Sequence, residues 1–93
     1  MGAAVTLKQH DDKMQLRQRM LDHIATRRWD EKMNGELAEQ ANSWALAHGY
    51  DLITVEQVDR FDSLASGHID WAQKLALSIA DYCVYRLKSA STE

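Results

Sequence analysis

Apolar positions recur at helical rather than alternating intervals along most of this chain, and the clearest punctuation lies between residues 45 and 58. The stretch Ala45-Leu46-Ala47-His48-Gly49-Tyr50-Asp51-Leu52-Ile53-Thr54-Val55-Glu56-Gln57-Val58 contains one helix stop and one helix start. Gly49 follows a helical run and can take the left-handed conformation that closes it. Thr54 and Gln57 spell a Thr-x-x-Gln capping box, in which the Gln57 backbone N–H donates to the threonine hydroxyl while the glutamine side chain reaches back. Ile53 and Val58 occupy the positions of a hydrophobic staple around that cap.

Four helices follow from the pattern. Thr6 with Gln9 offers a second capping box, and Leu7, Met14, Leu16, Met20, Leu21 and Ile24 then recur at mostly helical spacing, which predicts a long first helix over about 6–26. Its early part, Lys8 to Lys13, is very polar, so its first one or two turns are expected to stand in solvent or rest on a partner. Arg27 and Arg28 would complement its carbonyl end. A second helix runs from Asp30 or Asn34 to His48, with Leu37, Ala41, Trp44 and Ala45 on one face. Asn34-Gly35 reads as a kink or a late helix start rather than a hairpin, because no alternating strand pattern flanks it. The third helix spans Thr54 to about Ser66-Gly67 and is expected to bury Val55, Val58, Phe61 and either Leu64 or Ala65. The fourth, about Asp70 to Lys88, is the apolar spine from Trp71 through Leu87. Its apolar arc exceeds one packing face, so it is either central in the bundle or partly in contact with another protein. The expected fold is thus all-α, a small bundle of about four helices with an extended first helix, in one domain over 1–93 with frayed ends at 1–5 and 89–93.

Composition supports this and limits the function. There is no proline, and the internal glycines are few, which favours helices over short strands and turns. With 45% apolar and 27% charged residues the chain is too hydrophobic for a disordered one. The net charge of −3 is uneven: residues 1–33 carry seven Lys/Arg against five Asp/Glu, and residues 34–93 carry four against nine. An acidic total argues against a dedicated nucleic-acid binder and against anionic membranes. A nucleic-acid role would have to rest on Lys8, Lys13, Arg17, Arg19, Arg27 and Arg28, a stripe interrupted by Asp11, Asp12 and Asp22. Cys83 stands alone, so no intramolecular disulfide forms, and a reducing, cytoplasmic setting is expected. The start Met1-Gly2-Ala3-Ala4-Val5-Thr6 lacks the features of a signal peptide, and no run approaches a transmembrane length.

Candidate chemistry is sparse. His10, His23, His48 and His68 are far apart, and none pairs with another His or Cys at helical spacing, so no metal or other cofactor is expected. Cys83 lies in the second half of an apolar helix, where a thiol packs as a small hydrophobe rather than acting as a nucleophile. No nucleophile elbow or glycine-rich phosphate loop is present. Trp44 and Trp71 keep helical register with Leu37, Ala41, Leu75 and Ile79 and are expected in the core. Trp29 sits at a helix junction beside Arg27 and Arg28, residue types enriched at interface hot spots. It either anchors a partner together with those two arginines or caps the small core.

The spacing Ala45-x-x-x-Gly49-x-x-x-Ile53-Thr54-Val55-Glu56-x-Val58 resembles the small helical C-terminal domain of the light-independent protochlorophyllide reductase B subunit, a nitrogenase-like reductase, over 14 of the 93 residues. Arg28-Trp29-Asp30 is similar to a segment of the small delta subunits of alternative nitrogenases. The resemblance implies an accessory subunit rather than a catalytic one, since a single cysteine supplies no cluster-ligating set. The expected function is therefore that of a non-enzymatic interaction protein, an accessory or regulatory subunit that meets another protein in a larger complex through Arg27, Arg28 and Trp29. A small acidic inhibitor or adaptor from a mobile element is the alternative, and a homo-oligomer is compatible with either.

Overall fold

The computed structural model describes residues 7–85, which form an all-α bundle of α1 (Leu7–Ala25), α2 (Met33–His48), α3 (Val55–Ala65) and α4 (Trp71–Tyr85). The Thr6–Gln9 box, the end of the fourth helix at Lys88 and the segments 1–5 and 89–93 lie outside the described residues.

Local chemistry sets the boundaries. Gly49 ends α2 with φ of 78°, its N–H donating to the Ala45 carbonyl, which also accepts from Tyr50 N at 2.9 Å. Only glycine takes this backbone conformation without steric cost. Thr54 is extended, and its hydroxyl accepts from Gln57 N at 3.1 Å; among the described residues this is the half of the capping box that forms. Ile53 and Val58 are both buried in the core as the staple requires. The end of α1 is closed by Thr26, whose hydroxyl and N–H both donate to the His23 carbonyl. Asp30 then builds the turn into α2, its carboxylate accepting from Lys32 N and its carbonyl from Met33 N. Asn34-Gly35 falls in the first turn of α2, a late start and not a hairpin.

The wide apolar arc of α4 has a simple cause. This helix packs on each of the other three, while α1 and α3 are not neighbours. It therefore buries Leu75, Ala76, Ile79, Ala80, Cys83 and Val84 around much of its circumference. Leu16 and Met20 of α1, Met33, Leu37, Ala41 and Trp44 of α2, and Val58 of α3 complete one contiguous core. Fully burying a Leu- or Ile-sized side chain contributes roughly 1.5–3 kcal/mol, so this cluster supplies most of the drive to fold.

Two expectations need correcting and one alternative is decided. Val55 is half exposed rather than buried, because Ile53, entering ahead of the cap, fills the core at that end of α3. Of Leu64 and Ala65 it is Ala65 that faces inward, in phase with Val58, while Leu64 is 70% exposed. Within the polar start of α1 one residue is not solvated: Asp12 is only 5% exposed and lies on the inward stripe Asp12, Leu16, Met20, while its neighbour Asp11 is exposed.

Candidate functional site

The inward stripe of α1 ends on a carboxylate, and its surroundings decide what that carboxylate can do. Tyr50, just beyond the α2 stop, donates its hydroxyl to Asp12 Oδ2 at 2.5 Å, and Lys8 Nζ donates to the same oxygen at 2.9 Å. These two donors, Tyr50 first, hold the Asp12 carboxyl below its ordinary range. Burial, reinforced by Asp12, pushes the Tyr50 phenol up to about 12. At neutral pH the phenol therefore donates and the carboxylate accepts. The pair ties α1 to the α2–α3 loop. Trp44 stacks on Tyr50 at 5.6 Å and on His48 at 4.1 Å between ring centroids. Asn42 completes the closure, its amide donating to the Ile53 carbonyl at 2.9 Å and accepting from Ile53 N at 2.7 Å.

The histidines are not brought together. His23 Nε2 meets Glu36 at 2.9 Å, His48 Nδ1 meets the Trp44 carbonyl, and His10 and His68 are exposed. Among the described residues no group of three or more His, Cys, Asp or Glu could hold a metal ion. Cys83 is buried, and burial, followed by the charge of Asp51, pushes its thiol up to about 12. Its backbone carbonyl accepts from Asp51 N at 3.2 Å.

Arg27, Arg28 and Trp29 are employed in three different ways. Arg27 does not cap the α1 carbonyls; its guanidinium forks across the junction, meeting both oxygens of Asp30 at 3.1 Å and Glu36 at 2.7 Å and 3.1 Å. The guanidinium lowers both carboxyl pKa values. Trp29 is half-buried against the core and meets Trp71 edge to face, 4.5 Å between centroids at 79°. The Trp71 indole in turn donates to Asp62 at 2.7 Å, and Asp62 also accepts from Asn34, as does Asp59. Arg28 is exposed.

A different surface is unfinished. Between α3 and α4 lies a groove of about 300 Å³ lined by Phe61, Leu64, Ala65, His68, Lys74, Leu77 and Ser78. Leu64 is 70% exposed, Leu77 is partly so, and Ile69, next to His68, is fully exposed. A larger groove between α1 and α2 is lined by polar residues, Gln15, Gln18, Arg19, Asp22 and Gln40 among them, whose carbon atoms supply most of the lining surface, and several of these pair with one another: Arg19 with Gln40, Gln18 with Asp22. Scattered exposed leucines are ordinary on a protein surface, whereas apolar side chains gathered along a groove mark interaction sites. The sequence pattern missed the α3–α4 groove because Leu64 was a candidate for the core. The signal was the phase of α3, since Val58, Phe61 and Ala65 share a face that Leu64 leaves.

Comparison with known proteins yields no match to any family, curated protein or solved structure. Among the described residues no helix is long and apolar enough to cross a membrane.

Proposed function

We propose that this chain is a non-catalytic protein-binding module, a small cytoplasmic accessory or regulatory subunit that docks on another protein through the α3–α4 face. The observation that carries the proposal is the run of exposed apolar side chains, Leu64, Leu77 and Ile69, along and beside an open groove. In a domain this small, apolar surface left in water costs solubility without adding to the core, and partner binding is the usual reason for it. Trp29 reaches the start of α4 through Trp71, the same end at which Ile69 stands, so Arg28 and the exposed edge of Trp29 extend the proposed surface. Arg27, tied to Asp30 and Glu36, positions that junction. A nitrogenase-like reductase is the larger complex that the 45–58 resemblance suggests. Those residues also serve the fold directly, as helix stop, cap and staple.

The test is co-purification of the tagged full chain from cells that express it naturally, beside a Leu64→Asp, Leu77→Asp double variant. Wild type is expected to retain a stoichiometric partner that the variant loses, with unchanged helical circular dichroism. A partner retained equally by both sinks the assignment to this face.

A further inference from the structure

We infer that the occupant of the α3–α4 groove is an acidic amphipathic helix of the partner, its apolar stripe over Phe61, Leu64 and Leu77 and a carboxylate on Lys74; this rests on the protein-binding reading above. The shape comes first. A cleft bounded by two helices and floored by apolar side chains is the form that receives the apolar face of a third helix, read through positions i, i+3 or i+4, and i+7. Its volume of about 300 Å³ suits a short row of side chains inserted from one side.

Charge then selects the partner. The polar members of the lining are His68, Lys74 and Ser78, and no carboxylate lines the groove. Asp70, one turn before Lys74, is met by the Lys74 backbone N–H at its carbonyl, and among the described residues no carboxylate makes an ion pair with the ammonium. Two further acidic groups are committed elsewhere. Asp62 of α3 accepts from Trp71 and Asn34, and Asp81, further along α4, pairs with Lys13 of α1 at 3.3 Å. A cation without a contact partner beside apolar side chains is complementary to a carboxylate flanking an apolar stripe. The chain's net charge of −3 does not reverse this preference, since charges further than about 8 Å apart are largely screened at physiological salt, and the contact pair decides. A second copy of this chain fits less well, because a two-fold pairing of the same patch offers Lys74 no carboxylate from the groove lining.

The experiment uses the full chain and a displayed library of helical peptides of about 15 residues, each with a fixed leucine stripe and flanking positions drawn from Glu, Lys, Gln and Ala. Clones selected on wild type are expected to be enriched in Glu. A representative acidic clone should lose about tenfold or more in affinity on both Lys74→Glu and Leu77→Asp. A Lys-flanked clone should bind Lys74→Glu better than it binds wild type. Both substitutions are at exposed positions, and thermal melts confirm that the variants fold. Acidic clones that bind Lys74→Glu as well as wild type overturn the inference. Enrichment of Lys-flanked clones that still need Leu77 overturns the acidic partner and leaves the protein-binding reading standing. Clones indifferent to Leu77→Asp, or no selected clone at all, sink both. Concentration-dependent self-association in sedimentation, abolished by Leu77→Asp, would assign the groove to a second copy and likewise overturn the acidic helix.

Discussion

The two halves of α4 are finished in opposite ways. Its C-terminal half is closed by polar ties: Lys13 lies between Asp81 at 3.3 Å and the Tyr85 ring at 5.5 Å, and Asp51 N bonds the Cys83 carbonyl. Just beyond, Asp12 and Tyr50 fasten α1 to the loop that follows α2. The N-terminal half is tied to α3 at its first residue, where the Trp71 indole donates to Asp62 at 2.7 Å, but beyond that it keeps Leu77 partly exposed opposite an outward Leu64, and its Lys74 has no ion-pair partner among the described residues. The difference separates architecture from function. Where buried polar groups are fully paired they fix one arrangement of the chain, and where apolar groups are left uncovered the molecule has something still to bury.

The largest expected effect tests that division directly. Ile79 is fully buried and Leu77, two residues away on the same helix, is 38% exposed. Ile79→Ala is expected to cost about 3 kcal/mol, the loss of transferred surface plus a residual cavity. Leu77→Ala should stay within about 0.5 kcal/mol. Urea denaturation of the two variants checks the pair. Equal costs would mean that the groove is part of the core and not a surface awaiting a partner.

Trp29 sharpens the comparison next, because it belongs to both halves of the question. Its edge-to-face contact with Trp71 and its packing against the core make truncation a loss of stability first. Trp29→Ala is expected to destabilise the free chain by about 2 kcal/mol, below the full cost of a buried Trp since Trp29 is only partly buried. Arg28→Ala should leave the melting temperature unchanged and, where the proposed surface extends to it, weaken partner capture. Thermal melts together with capture at matched folded concentration distinguish the roles. A stable Trp29→Ala variant that no longer binds would restore Trp29 as a pure interface anchor.

The closed half has a pH signature. Asp12 titrates lower in the fold than the roughly 3.9 of a free aspartate, so the unfolded chain takes up its proton first as pH falls. Its contribution is present above that value and lost as pH drops through the folded one. Tyr50 acts at the other extreme: its phenol is raised from 10.0 to about 12, so its contribution holds below pH 10 and disappears as pH rises toward 12. Asp12→Ala is expected to cost about 2 kcal/mol at neutral pH by leaving the Tyr50 hydroxyl without its acceptor. The deficit relative to wild type should shrink below about pH 4. Denaturation midpoints measured across that range check it, and a deficit independent of pH would mean that Asp12 contributes through packing alone.

How much of this was legible in the sequence depends on how far apart the interacting residues lie. Gly49, Thr54 and the staple are local devices, complete within a few residues, and the chain displays them openly. The tie of Asp12 to Tyr50 spans 38 residues; the polar run from Lys8 to Lys13 read as solvated and hid the four-residue register of Asp12 with Leu16 and Met20, and nothing local named its donor. Trp29 was ambiguous for the same reason, its partner Trp71 being on the last helix. The α3–α4 groove was hidden further still. It is a relation between two helices, and it turns on one residue of phase, Leu64 outward and Ala65 inward, in a helix too short for the pattern to settle.

The smallest effect tests the most local of these devices, and with it the floor of the open half. Thr54 fixes the start of α3, and its hydroxyl and its carbonyl share the Gln57 N–H, each at 3.1 Å, in the first turn where amide groups lack the regular intrahelical acceptor. Thr54→Ala is expected to cost about 1 kcal/mol, visible as a lower denaturation midpoint with an unchanged slope. Because Ile53 and Val58 still hold the entry of the chain through their burial, α3 should form in the variant and present Leu64 as before. Binding by the folded fraction should therefore be unaffected, whereas Leu64→Asp should abolish binding at little cost in stability. An unchanged midpoint in Thr54→Ala would show that the staple alone starts α3. Lost binding with the fold retained would show that the first turn of α3 belongs to the partner surface, which would then reach past Leu64 to Val55.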